Sequence, residues 1–279
     1  LESSLGAGEG VETIGEDMNE LTVFKRIEDR YVEGKHSIFG DMDVLFMKSL
    51  LCAGRFTCQH CTYWHDNTAS LDEAILVNKA LIDYAPLKHD TLFINPSATF
   101  FDVPIESIKY LLNKWKPKRL ISESSWTHRN KFREMDEFIK AHAPLTKFNH
   151  KIGIEAFDND VRAKIGKKYV IKDWREIFTY TKSVILLTGT KYHTKDIIDR
   201  EFGILMDNAE LGEVNVISDR YSNTPMEDPE MIRYVMDKWA AKLIAAPNIE
   251  FTVDPSSAWG TNINGANNAL GKNPQGKKA

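Results

Sequence analysis

Between residues 44 and 244 the chain alternates between two hydrophobic periods, and this alternation limits its fold more than any other feature. Short apolar runs at 44–50, 91–95, 119–123, 151–156, 183–187 and 214–219 are mostly rich in Ile, Val, Leu or Phe and read as strands. Amphipathic stretches at 70–83, 105–114, 130–142, 172–181, 195–208 and 228–244 read as helices. The first places Leu71, Ala74, Ile75, Val77, Ala80 and Leu81 at helical spacing, with Ser70 as N-cap and Glu73 three residues on. The second follows Pro104, a good first-turn residue. Repeated strand–helix alternation requires parallel strands joined by crossover helices. The expected fold class is α/β: a partial (β/α)6 TIM-like barrel of parallel strands with outer helices. A doubly wound sheet is the competing architecture. In both, functional side chains belong at the carboxyl ends of strands.

One domain is expected over 18–259, since α/β barrels of about 250 residues are common. Residues 1–17 are Gly-, Glu- and Ser-rich, and Met18 reads as the natural start. Residues 260–279 are rich in Asn, Gly and Lys. Both ends are expected to be disordered. The net charge of −4 gives no global basic field. The basic groups Lys114, Lys116, Lys118 and Arg119, and Lys164, Lys167 and Lys168, read as solvated faces rather than a tRNA-binding surface. The longest apolar runs fall far short of the roughly 20 residues that span a bilayer, so no membrane partner and a cytoplasmic location are expected.

All three cysteines, Cys52, Cys58 and Cys61, lie in one C-x5-C-x2-C segment after the first strand. An odd, clustered set argues against a disulfide framework and for a reducing compartment. Arg55, Gln59 and His60 make the segment polar, unlike a core strand that buries cysteines as small hydrophobes. Two metal readings remain open. Three thiolates hold three corners of a [4Fe–4S] cluster and leave one iron open. Alternatively, His65, four residues after Cys61, completes a Cys3His zinc site in a zinc-stabilised RNA-binding module without redox chemistry. A third reading is a barrel hydrolase or lyase with Glu123 and Glu155 as acid and base.

Three segments resemble the radical S-adenosylmethionine (SAM) superfamily. They are Cys58-Gln59-His60-Cys61-Thr62-Tyr63, the run from Phe93-Ile94-Asn95-Pro96-Ser97 to Asp102, and Ile152-Gly153-Ile154-Glu155 followed by Val161-Arg162. Most members carry C-x3-C-x2-C; here the first gap is two residues longer. The likeness is closest to the branch of the archaeosine synthase radical SAM subunit and the elongator catalytic subunit. It implies an enzyme in which Cys52, Cys58 and Cys61 ligate a single [4Fe–4S] cluster. That cluster would cleave S-adenosylmethionine to a 5′-deoxyadenosyl radical, with the cofactor carrying the chemistry. A nucleobase in tRNA or a 7-deazaguanine-type compound is the candidate substrate, and flavodoxin or ferredoxin the electron donor. The same resemblance places His60 near the adenine, Asn95 and Ser97 at the SAM amino group, and Glu123 and Glu155 at ribose hydroxyls or the ammonium. Arg162 is assigned to the SAM carboxylate. Thr188, in the Ser183–Thr190 stretch, falls beside the adenine, and Asp219, Arg220, Ser222 and Asn223 on the substrate side.

Overall fold

The computed structural model describes residues 26–54, 56–61, 63–217 and 224–253. The readings at Asp219, Arg220, Ser222 and Asn223, and those on both termini, lie outside the described residues. The chain forms one eight-stranded sheet in sequential order. Its strands are β1 (Tyr31–His36), β2 (Gly40–Met47), β3 (Thr91–Pro96), β4 (Arg119–Ser125), β5 (Lys147–Glu155), β6 (Ser183–Thr188), β7 (Leu211–Val216) and β8 (Ile249–Thr252). Strand β1 pairs antiparallel with β2, and every neighbouring pair from β2 to β8 is parallel. The helices are α1 (Leu71–Tyr84), α2 (Ile105–Lys114), α3 (Phe132–His142), α4 (Asn159–Lys164), α5 (Ile177–Tyr180), α6 (Lys195–Asn208), α7 (Pro229–Lys238) and α8 (Ala240–Ala245).

Side-chain alternation along the strands divides outside from inside. Leu45, Met47, Leu92, Ile94 and Leu120 pack outward against Leu81 and Ile82 of α1, Ile108, Leu111 and Leu112 of α2, and Ile139 of α3. Ile152, Ile154, Val184, Leu186, Val214 and Val216 pack on Ile198, Phe202 and Leu205 of α6 and Val235 of α7. Each such buried side chain contributes about 1.5–3 kcal/mol. The alternate residues Val44, Phe46, Phe93 and Ile121 fill the inside. The sheet curls until His36 Nε2 on β1 lies 3.2 Å from Glu250 Oε2 on β8, the two edge strands.

The result is a partial TIM-like barrel with eight strands instead of six. The extra two are β1, whose Glu-Gly-Lys centre is too polar for an apolar run, and the four-residue β8. Gly40, at φ +76°, makes the β1–β2 turn. The stretch at 172–181 yields only a 3-10 turn and α5, and 228–244 divides at Trp239 into α7 and α8.

Candidate active site

The carboxyl ends of the parallel strands surround a cavity of about 570 Å³. Its wall includes all three cysteines, His60, Asn95, Ser97, Glu123 and Glu155. The cysteine loop is secured by side chains from elsewhere. Asn67 Oδ1 accepts from Cys52 N at 3.1 Å, while Asn67 Nδ2 donates to Ser97 O at 2.8 Å and Ser97 Oγ at 3.0 Å. Ser97 Oγ also accepts from Ser49 N at 3.0 Å. Asn78 brackets Lys48, accepting from its N at 2.7 Å and donating to its O at 2.9 Å. On the far side Gln59 N donates to Ile165 O at 3.0 Å, and Tyr192 Oη donates to Gln59 Oε1 at 3.2 Å. Gly166, at φ +94°, lies so close that an added Cβ would meet Thr57 O at 1.6 Å.

Two of the sulfur atoms lie over Gly54. A Cβ there would stand 2.8 Å from Cys58 Sγ and 3.7 Å from Cys52 Sγ. Burial pushes the Cys61 thiol up to about 12 and raises Cys52 as well. Thiolates in such surroundings need a compensating cation, which a metal centre supplies as it displaces the protons. Among the described residues no three His, Cys, Asp or Glu side chains come together as ligands of one ion. A zinc tetrahedron requires such convergence, with every sulfur about 2.3 Å from one atom. A cluster does not, because each thiolate takes a different iron. His65, the fourth ligand of the zinc reading, instead stacks on Trp64 with ring centroids 3.8 Å apart. Three thiols on one cavity-lining loop are a donor set that fits a cluster.

Glu155 ends β5 in a left-handed conformation, φ 66°, just past a register shift in the β5–β6 pairing. Among the described residues it is the one non-glycine with positive φ. Its Oε1 lies 2.9 Å from Lys167 Nζ and 3.5 Å from His60 Nε2. Burial alone would raise its carboxyl, but Lys167 and His60 outweigh burial and hold it well below the usual range. Lys167 is raised in turn by Glu155, against its own burial. Lys167 thus stands on the cavity wall opposite its sequence reading as a solvated charge. Lys114 and Lys118 do remain at the surface, paired with Asp83 at 2.8 Å and Asp90 at 2.7 Å.

Two residues read as ligand contacts do not line the cavity. Arg162 is fully buried off the cavity wall; its guanidinium donates to Ala156 O and Asn159 Oδ1 and so braces the β5–α4 turn. Thr188 is 1% exposed and also off the wall; its carbonyl accepts from Ile217 N at 2.9 Å. Leu187 and Ile217 line the cavity there. The sequence reading missed Lys151 and Glu213, charged residues at inward positions of β5 and β7; strict two-residue alternation was the available signal.

No protein-family model matches the chain, and no curated protein matches it. Among solved structures it is similar to a queuine lyase from Clostridium spiroforme bound to SAM and queuine. The TM-score is 0.72 at 23% sequence identity, over 82% of this chain and 97% of that one. The two proteins share the partial-barrel fold.

Proposed function

We propose that this protein is a radical SAM enzyme that holds one [4Fe–4S] cluster on Cys52, Cys58 and Cys61 and modifies a nucleobase-type substrate. The carrying observation is that three cysteines on one loop, two with thiols raised by burial, open onto the carboxyl-end cavity of a partial barrel. The similar fold of a protein bound to SAM and queuine supports the same reading. When bound, the cluster supplies the electron that splits the sulfonium of SAM and so generates the hydrogen-abstracting 5′-deoxyadenosyl radical.

The chain's own residues then bind and orient. Lys167, fixed by Glu155, presents an ammonium to the SAM carboxylate, the role first assigned to Arg162. Glu155 therefore acts through Lys167 and His60. Asn95 Oδ1 accepts from the SAM ammonium. Ser97 positions the turn and the cysteine loop together, because its hydroxyl already accepts two hydrogen bonds. Leu187 and Ile217 give apolar walls for the adenine, beside His60. A cavity of this size suits SAM with a small nucleobase, and an external donor such as flavodoxin or ferredoxin supplies the electron.

The test is anaerobic reconstitution with iron and sulfide, followed by SAM and dithionite. Wild type and His65→Ala release 5′-deoxyadenosine; Cys58→Ala holds no cluster and releases none. A wild-type protein that takes up stoichiometric zinc, and releases no 5′-deoxyadenosine, overturns the reading.

A further inference from the structure

Behind the loops that face the cavity lies a polar network to which the proposed chemistry gives no part. Thr190, His193 and Glu201 are buried, and none of the three lines the cavity. Thr190 Oγ1 and His193 Nδ1 lie 2.7 Å apart, and His193 Nε2 lies 3.7 Å from Glu201 Oε2. The other carboxylate oxygen, Glu201 Oε1, accepts from Asp158 N at 2.9 Å. The chain of contacts runs from the loop after β6, through α6, to the turn between β5 and α4. Buried polar groups linked in this way make their surroundings rigid.

Each end of the chain supports a segment beside the cysteine loop. At one end Asp158 caps α4, accepting from Asp160 N at 2.9 Å and Val161 N at 3.2 Å. Helix α4 lies between Glu155, which ends β5, and Lys167. At the other end Thr190 Oγ1 accepts from Tyr192 N at 3.3 Å, and His193 N donates to Thr190 O at 3.0 Å. Residues 190–193 thus form a closed turn that carries Tyr192. The Tyr192 ring packs on the buried cluster that contains Ile165, Leu187 and Ile217. Its hydroxyl donates to Gln59 Oε1 at 3.2 Å, while Gln59 N donates to Ile165 O at 3.0 Å. The side chain and the backbone of Gln59 are therefore held by two different elements, and both lead back to Glu201. Gln59 precedes His60, which faces Glu155. The His60, Glu155 and Lys167 group comes from three separate segments, and this network is the support that they share.

We infer that Tyr192 is a positioning residue for SAM. Through Gln59 it fixes His60 against the Glu155–Lys167 pair, and the Thr190–His193–Glu201 chain holds Tyr192 and that pair in one register. Cys52 is anchored independently through Asn67. Loss of the Tyr192 contact therefore displaces His60 without releasing the thiolates. The inference rests on the proposed SAM site.

The experiment is anaerobic calorimetry of SAM binding to cluster-loaded protein, with iron per chain measured on the same samples. Tyr192→Phe keeps the ring packing and removes only the hydroxyl. It binds SAM about three- to tenfold more weakly, the scale of one ordinary hydrogen bond, at wild-type iron content. Gln59→Leu matches it, and the double variant is no weaker than either single one, because both act through one contact. His193→Ala, which removes the support of the turn, binds SAM at least as weakly as Tyr192→Phe. Wild-type affinity in Tyr192→Phe or His193→Ala, additive losses in the double variant, or iron lost in step with affinity overturns the inference. If cluster-loaded wild type binds no SAM, the enzyme reading itself fails. If wild type binds SAM and Tyr192→Phe equals it, this inference fails alone.

Discussion

At Glu155 the backbone accepts a left-handed turn that costs a side chain of this type roughly 1–2 kcal/mol. The return is a carboxylate aimed at Lys167 and His60. Breaking a buried pair leaves one charge uncompensated, so Glu155→Gln should destabilise the fold by about 3 kcal/mol in urea titrations near neutral pH. Two further carboxyls act in the opposite sense. Burial raises Glu123 and Glu250 to about 7 from an ordinary 4.5, so in that interval the folded chain binds more protons than the unfolded one. Their contribution is complete below about 4.5 and is lost as pH rises through about 7. Glu155, depressed, contributes above about 4.5 and loses its share as pH falls. The buried neutral His36 and His150, held down to about 3, act the other way and gain their share as pH rises to about 6.5. The metal-free protein should therefore be most stable near pH 6 and weaken toward pH 8 by on the order of 1 kcal/mol. Glu123→Gln should flatten the decline in thermal melts taken across that range. At this scale the sequence was legible for the place of the cysteines on the cavity wall, after the first parallel strand. It was not legible for Lys167, because a lysine among lysines looks solvated until the chain folds it against a glutamate twelve residues earlier.

The element that matters most is the cysteine loop, a segment without regular structure held by its neighbours. Two contacts lock it: Asn67 to the β3 turn, and Gly166 against Thr57. Gly166→Ala adds a left-handed penalty of about 1–2 kcal/mol to a clash with main chain, which cannot swing aside. It should lower both the melting temperature and the iron retained per chain after gel filtration. Asn67→Ala removes three hydrogen bonds, each contributing about 1 kcal/mol, and should release iron faster under chelation while the far-UV spectrum stays unchanged. The strands from β2 to β7 were readable from their apolar runs, though β2 begins at Gly40 and β5 at Lys147, earlier than the runs suggest. Strand β1 was hidden because it pairs antiparallel at an edge through polar residues. Long-range pairing, not local pattern, makes it a strand.

Across the whole molecule, the sheet's outer face carries two apolar clusters under helices, and its inner face carries the charged and polar groups, with the cavity at the carboxyl ends. Stability and chemistry are thus assigned to opposite faces of the same strands. Removing the cluster should leave the helix-packed side intact: hydrogen exchange of metal-free protein should rise in 50–67 and 165–169 and stay slow in β3 and β4. An equal rise throughout would mean that the metal supports the entire fold. The central claim is that three thiolates leave one iron open to SAM. It is tested most directly by the electron paramagnetic resonance spectrum of the reduced cluster with and without SAM. The account predicts a cluster signal that shifts when SAM is added and is absent in Cys58→Ala. A signal indifferent to SAM, or no iron signal in the reconstituted wild type, would contradict it.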